Sequence, residues 1–251
     1  MTLETYLGSE DLKSRFLEEI GKHEAADAIV KGTYGDLTKK KFKGCAIGCS
    51  LHSLNLVNGT ADRQTGDHQR YETELGLPMW LAFLEDNVFE NLPDDLAMTW
   101  PRRFAEAIPV GAVVDDVVLA KILRWVLADS EFGVRFATDD EKIRGYIDII
   151  VVAFDAEIVG QATAEQREAA AWAAWAARAA WAARDARAAR AARDAWAAWD
   201  AWAARAARDA ATKSEVKKAD AFFPSLSEYV LDLMRALPPA HAAVASSQVS
   251  L

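Results

Sequence analysis

Residues 172–208 read WAAWAARAAWAARDARAARAARDAWAAWDAWAARAAR, with Trp or Arg at every third position and only Ala or Asp between. Ala is the best helix former, Arg is close behind it, and neither Gly nor Pro interrupts 164–211. The stretch therefore predicts a helix about 72 Å long. A triplet falls short of the helical turn, so each successive large side chain lands about 60° behind the last and the stripe winds around the rod. Trp181, Trp196, Trp199 and Trp202 fall on one side, and Arg187, Arg190, Arg193, Arg205 and Arg208 on the other. Trp172 and Trp175 lie on the Arg side, which predicts that this end packs in a different direction and joins the globular part of the chain.

Indole rings are large apolar surfaces that need a partner. The intervening Ala residues let a second backbone come close, and a final helix over 225–237, with Leu226, Val230, Leu233 and Leu237, covers only part of the length. Self-association through 161–212 is the simplest expectation. The same helix has a chemical alternative, because nucleobases stack on indoles and guanidinium planes while Arg forks grip phosphate. Asp185, Asp194, Asp200 and Asp209 weaken a third reading, association with a membrane surface.

Outward from the repeat, the pattern predicts an all-α chain: a helical globular domain over 1–160, the repeat helix over 161–212, a C-terminal helix over 213–238 and a flexible tail over 239–251. Ser9 before Glu10 and Asp11 predicts a helix start, and a second helix is expected through Glu24–Val30. Gly32–Gly35 reads as a turn and Asn55–Gly66 as a loop. Pro78 and Pro93 suit first helical positions, and acids open the periodic stretches Asp115–Leu127 and Asp139–Ile158. Val110–Val114 could form a short strand, but nothing offers it partners.

The 251 residues carry a formal net charge of −9, which argues against a general duplex nucleic-acid binder. Residues 1–11 carry Glu4 and Glu10 and neither a basic stretch nor an apolar run, so they are not expected to act as a secretory leader, and the apolar run Ile149–Phe154 is far too short to span a membrane. Cys45 and Cys49 are the only cysteines, which suits a reducing, cytoplasmic setting.

Chemistry concentrates in KKKFKGCAIGCSLHS, residues 39–53. Gly44 and Gly48 allow close backbone approach, and a helix starting here beside Lys39, Lys40, Lys41 and Lys43 would attract a phosphate. The spacing is not that of a P-loop, and a core helix beside a solvated lysine run is the simpler reading. Cys45, Cys49, His52 and His68 could be taken as a zinc set, but their spacing is unlike that of paired zinc cysteines and a long polar loop would have to deliver His68. A Cys49–His52 nucleophile pair lacks a third orienting group, so buried inert thiols are expected. On the helix from Pro78, Glu85 shares the apolar face with Leu81, Leu84 and Val88. It either joins Glu74 and His52 as a metal-binding or acid–base cluster, or is satisfied by Arg102, Arg103 or a backbone N–H.

KGCAIGCSLH, YETELGLP, LEDNVFENLP, WPRRFAEAIPVGA and the closing Ala/Trp/Arg repeat together resemble a family of uncharacterised bacterial and phage proteins, from Lys43 to about Ala211. That resemblance implies a phage or mobile-element setting inside a bacterial host cell, with Cys45, Cys49, His52, Glu74, Glu85 and Glu90 as candidate site residues. It implies no settled activity, and any cofactor stays unknown.

The leading expectation is a non-enzymatic homo-oligomer that sequesters a small anionic ligand, such as a nucleotide-type immune signal. Lys43, Gly44 and His52 would hold its phosphate, with Cys45, Cys49, Glu74 and Glu85 completing the candidate site. One alternative is a metal-dependent hydrolase of a nucleotide or phosphoester using Glu74, Glu85 and His52. The other is a purely structural assembly protein.

Overall fold

The computed structural model describes residues 3–60, 63–185 and 213–238. They are helical, as expected: α1 (Glu10–Ala25), α2 (Ala46–Asn58), α3 (Arg70–Leu75), α4 (Met79–Asn91), α5 (Asp94–Ala97), α6 (Trp100–Ala107), α7 (Asp116–Ala128), α8 (Glu141–Ile158), α9 (Ala164–Asp185) and α10 (Lys213–Arg235). Among the described residues no helix is long and apolar enough to cross a membrane.

Contacts divide the chain into two units: residues up to Val114 with those from Phe223 onward, and Asp115–Phe222. This division falls at Asp115. In the second unit α8 packs on both α7 and α9, so the described start of the repeat lies against α8. Small side chains permit this approach, and Ala173 and Ala176 of α9 are buried. Trp172 meets the edge of Tyr146 on α8 at 5.6 Å between ring centres, yet stays 57% exposed. The repeat beyond Asp185, through residue 212, and the tail from residue 239 lie outside the described residues, as does any test of one continuous rod.

In the first unit, α1 lies against α2, and α2 in turn against α4 and α6. Ser9 Oγ accepts from the Leu12 N–H and starts α1. The helix runs unbroken to Ala25, and the expected helix over Glu24–Val30 does not form. Asp27 turns the chain with φ 51°, after which Gly44 N–H donates to Ala28 O and Val30 N–H to Gly44 O. Those bonds pin both ends of the loop between Val30 and Gly44.

The helix α2 is the centre of this unit. Residues Ala46–Leu51, Ser53, Leu54, Asn55 and Val57 are all buried, as expected of a helix covered on every side. Gly48 allows the close approach of the Tyr34 backbone, because a Cβ there would sit 2.4 Å from the Tyr34 carbonyl oxygen. α3 ends at Gly76, whose φ of +63° and closeness to the Glu4 carbonyl both exclude a side chain. Pro78 and Pro93 occupy the caps of α4 and α5 instead of their first turns, and α5 is a single turn. Val110–Val114 forms no strand. Thr5 N–H donates to Ala112 O and Gly111 N–H to Thr5 O, and these bonds tie the segment to the N-terminal stretch. Asp115 and Asp140 cap α7 and α8 with their side chains.

Candidate functional site

The candidate residues fall into four environments. Lys43 reaches the first, an open cleft of about 200 Å³ lined by Thr33, Asp36, Lys39, Lys41 and Lys43. Asp36 is occupied locally, accepting from the Thr38 N–H and hydroxyl and lying 3.9 Å from Lys39. Three ammonium groups against one carboxylate leave the cleft net positive. The loop's basic run and the α2 N-terminus do not form one anion site. Gly44 N–H is spent on Ala28 O, Cys45 N–H on Thr33 O, and the Tyr34 backbone covers Gly48. Cys49 is buried, with its S–H directed at the Gly44 carbonyl, and burial pushes its thiol up to about 12. It is an inert core thiol.

His52 belongs to the second environment, behind the lysine loop. Its ring stacks on Phe42 at 4.1 Å and its Nδ1 lies 3.0 Å from Nε2 of His23. One ring donates and the other accepts. Burial lowers the pKa of both, with His23 pushed down to about 4 by desolvation and by His52. The neutral pair anchors Phe42 between Lys41 and Lys43.

Glu74 and Glu85 occupy the third. Glu74 receives Arg70 Nε at 2.6 Å, Arg63 Nη1 at 2.6 Å and Asn58 Nδ2 at 2.9 Å. Burial raises its pKa, but the hydrogen bonds and charges of Arg70 and Arg63 outweigh this and hold the carboxyl below its ordinary range. The buried Arg70 also donates to Asn55 Oδ1 and Gln64 O. Glu85 is 1% exposed and takes the Tyr71 hydroxyl at 2.6 Å on Oε2, while Oε1 has no hydrogen-bond partner. Burial pushes its carboxyl up to about 8 against the opposing pull of Tyr71, so it is protonated at neutral pH. The space between Tyr6, Tyr71 and Glu85 leaves no room for a water molecule. Arg102 and Arg103 do not serve Glu85: they pair with Glu106 and Glu228.

The proposed trio of Glu74, Glu85 and His52 is therefore not assembled around one centre. Each has its own partners.

The fourth environment gathers potential metal ligands. Cys45 caps α2, and Asp86 and Glu90 stand one turn apart on α4; one ligand atom of each lies within 4.8 Å of the others. His68 Nε2 lies 3.7 Å from Asp86 Oδ2. Sequence reasoning considered Cys45 and His68 but paired them with Cys49 and His52, and it missed Asp86, Tyr34 and Tyr71. The signal for Asp86 was its i, i+4 spacing to Glu90 on one helix face.

The chain matches no protein-family model, no curated protein and no solved structure.

Proposed function

We propose that this protein binds a small phosphate-bearing ligand in the cleft lined by Thr33, Lys39, Lys41 and Lys43. The carrying observation is three lysines lining one open cleft on a loop pinned at both ends, by the Ala28–Gly44–Val30 bonds and by the Cys45 N–H on Thr33 O. Ammonium groups on flexible stems suit a compact, multiply charged anion better than a planar carboxylate. Retention is favoured over hydrolysis because His52, Glu74 and Glu85 are engaged separately. In the phage setting that the motif resemblance implies, such a binder would sequester a nucleotide-type signal, and the Ala/Trp/Arg repeat would join copies of it.

Calorimetric titration of the full chain with inorganic phosphate and with linear and cyclic nucleotides tests the cleft. Binding should weaken with added salt, fall at least tenfold in the double variant Lys41→Glu and Lys43→Glu, and release chemically intact ligand on heating. No heat from any phosphate-bearing ligand at low salt would remove the reading. Deleting residues 186–212 should reduce the mass seen by light scattering to that of one chain without loss of phosphate binding; unchanged mass would remove the assembly role.

A further inference from the structure

Cys45, Asp86 and Glu90 bring ligand atoms within 4.8 Å of one another, His68 borders this cluster on the Asp86 side, and each of the four is already oriented from behind. Gly48 N–H approaches Cys45 Sγ at 3.5 Å. The Tyr34 hydroxyl donates to Asp86 Oδ2 at 3.1 Å. Gly32 N–H holds the Glu90 carboxylate at 2.9 and 3.1 Å. His68 Nδ1 lies 3.1 Å from the Gly66 carbonyl, a bond that only the protonated nitrogen can make. Phe83 stacks on the His68 ring at 4.3 Å and Tyr34 meets it edge-on at 5.6 Å. Metal ligands are characteristically steadied in this way by outer hydrogen bonds, a histidine through the nitrogen that does not bind the ion.

Two atoms of the cluster are left without hydrogen-bond partners. His68 is 92% buried by its 8% exposure, and its Nε2 is unsatisfied, as is Asp86 Oδ1. With Nδ1 carrying the proton, Nε2 presents a lone pair toward an oxygen 3.7 Å away, too far for a hydrogen bond. Two such atoms on a tetrahedral zinc ion would stand about 3.4 Å apart. We propose that Cys45, Asp86 and Glu90 form a binding site for a zinc-class divalent cation, with His68 closing in from the Asp86 side as the fourth ligand.

One sulfur, one imidazole nitrogen and two carboxylates are a borderline-soft donor set, which suits zinc and disfavours magnesium or calcium. Binding requires the Cys45 thiol to release its proton to solvent; burial and the carboxylates of Asp86 and Glu90 push that thiol up and the Gly48 N–H opposes them, so the charge of the ion itself would have to stabilise the thiolate. Asp86 and Glu90 are half-buried, so the ion has an approach from their side. The site stands apart from the anion reading, since none of its ligands lines the lysine cleft.

The test uses the full-length chain, stripped with a chelator and titrated with Zn²⁺ and Co²⁺. One equivalent of zinc should be retained in native mass spectrometry, and the cobalt form should show a thiolate-to-cobalt charge-transfer band in the near ultraviolet. Cys45→Ser should abolish that band, while Cys49→Ser should keep it. His68→Gln and Asp86→Asn should each weaken zinc binding at least tenfold with an unchanged helical circular dichroism spectrum, which keeps the test decisive if Cys45→Ser does not fold. Failure of the wild-type chain to retain zinc would overturn the site, as would a band that survives Cys45→Ser or affinity untouched by both His68→Gln and Asp86→Asn. Phosphate titration of the metal-free chain reads the lysine cleft separately.

Discussion

Glu85 and Asp86 are neighbours on α4, and the helix sends them to opposite kinds of company. Glu85 enters the interior, where a tyrosine hydroxyl meets it and no water fits, and burial keeps it protonated. Asp86 stays at the margin among Cys45, His68, Glu90 and Tyr34, with an oxygen and a facing nitrogen unsatisfied. A neutral acid with a donor partner can serve as a core side chain. Two carboxylates beside an unsatisfied imidazole nitrogen, with Asp86 Oδ1 unsatisfied as well, are arranged for a cation. The difference separates a group kept for folding from one kept for a ligand.

The largest contrast should appear on removing the two side chains. At pH 5, where the buried carboxyl is neutral, Glu85→Ala should cost about 3 kcal/mol, since it leaves a cavity and strands the Tyr71 hydroxyl. Asp86→Asn should cost less than about 1 kcal/mol in the metal-free chain, because the amide oxygen can still accept from Tyr34 and one clustered negative charge is gone. Urea unfolding of both variants checks this, and equal losses would break the comparison.

The pH dependence comes next. The folded pKa of Glu85 is raised above the ordinary carboxyl value of 4.5 to about 8, so the folded chain holds a proton that the unfolded chain releases across that window. Stability attributable to Glu85 therefore falls as pH rises from about 4.5 toward 8, by a few kcal/mol in all, and levels off above. His23 acts oppositely. Its lowered folded pKa makes stability fall as pH drops from 6.5 toward about 4. Glu85→Gln isolates the carboxyl: denaturation at pH 5, 6, 7 and 8 should show the variant gaining on wild type as pH rises. A constant difference would mean that Glu85 is not protonated in the fold.

How much of this was legible from residue order follows from reach. Caps at Ser9 and Asp115 are local, since side chain and backbone N–H lie within three residues, and both were readable. So was the apolar-face position of Glu85, which depends only on the period of α4. Its partner was not: Tyr71 lies 14 residues away on α3 and arrives only because Gly76 and Pro78 turn the chain between the helices. Attention to charge led to Arg102 and Arg103, but a buried acid can remain neutral and take a hydroxyl. The cysteine spacing misled for a similar reason. Cys45 and Cys49 are one turn apart on α2, yet Cys45 caps the helix and faces α4, whereas Cys49 turns into the core. Helix packing sets those directions, and it unites Cys45 with residues some forty positions on.

A mid-sized effect tests the loop that steadies Asp86. Gly48→Ala adds a methyl group 2.4 Å from the Tyr34 carbonyl oxygen, where backbone on both sides must move. Alanine's better helix propensity offsets about 1 kcal/mol of the strain, leaving a net loss of about 1–2 kcal/mol. Displacing Tyr34 also removes the hydroxyl that orients Asp86, so zinc affinity should fall while the pH slope from Glu85 persists. Thermal unfolding with and without zinc measures both. If the variant kept full metal affinity, the Tyr34 contact would not be orienting the site.

The smallest effect on stability is expected at Lys43, an exposed residue on the cleft's rim. Lys43→Ala should change unfolding free energy by less than about 0.5 kcal/mol, as surface substitutions usually do. Its phosphate affinity should nevertheless fall several-fold at low ionic strength, and the gap from wild type should narrow as salt screens the remaining lysines. Glu85 then marks the opposite extreme: Glu85→Gln, made next to Asp86 in the chain but on a side chain that enters the core and bonds Tyr71, should alter the pH profile of folding and leave phosphate and zinc binding as they were. If Lys43→Ala instead destabilised the chain as much as Glu85→Ala, the lysine would be bracing the loop between Val30 and Gly44, and the cleft would lose its standing as a surface reserved for a ligand.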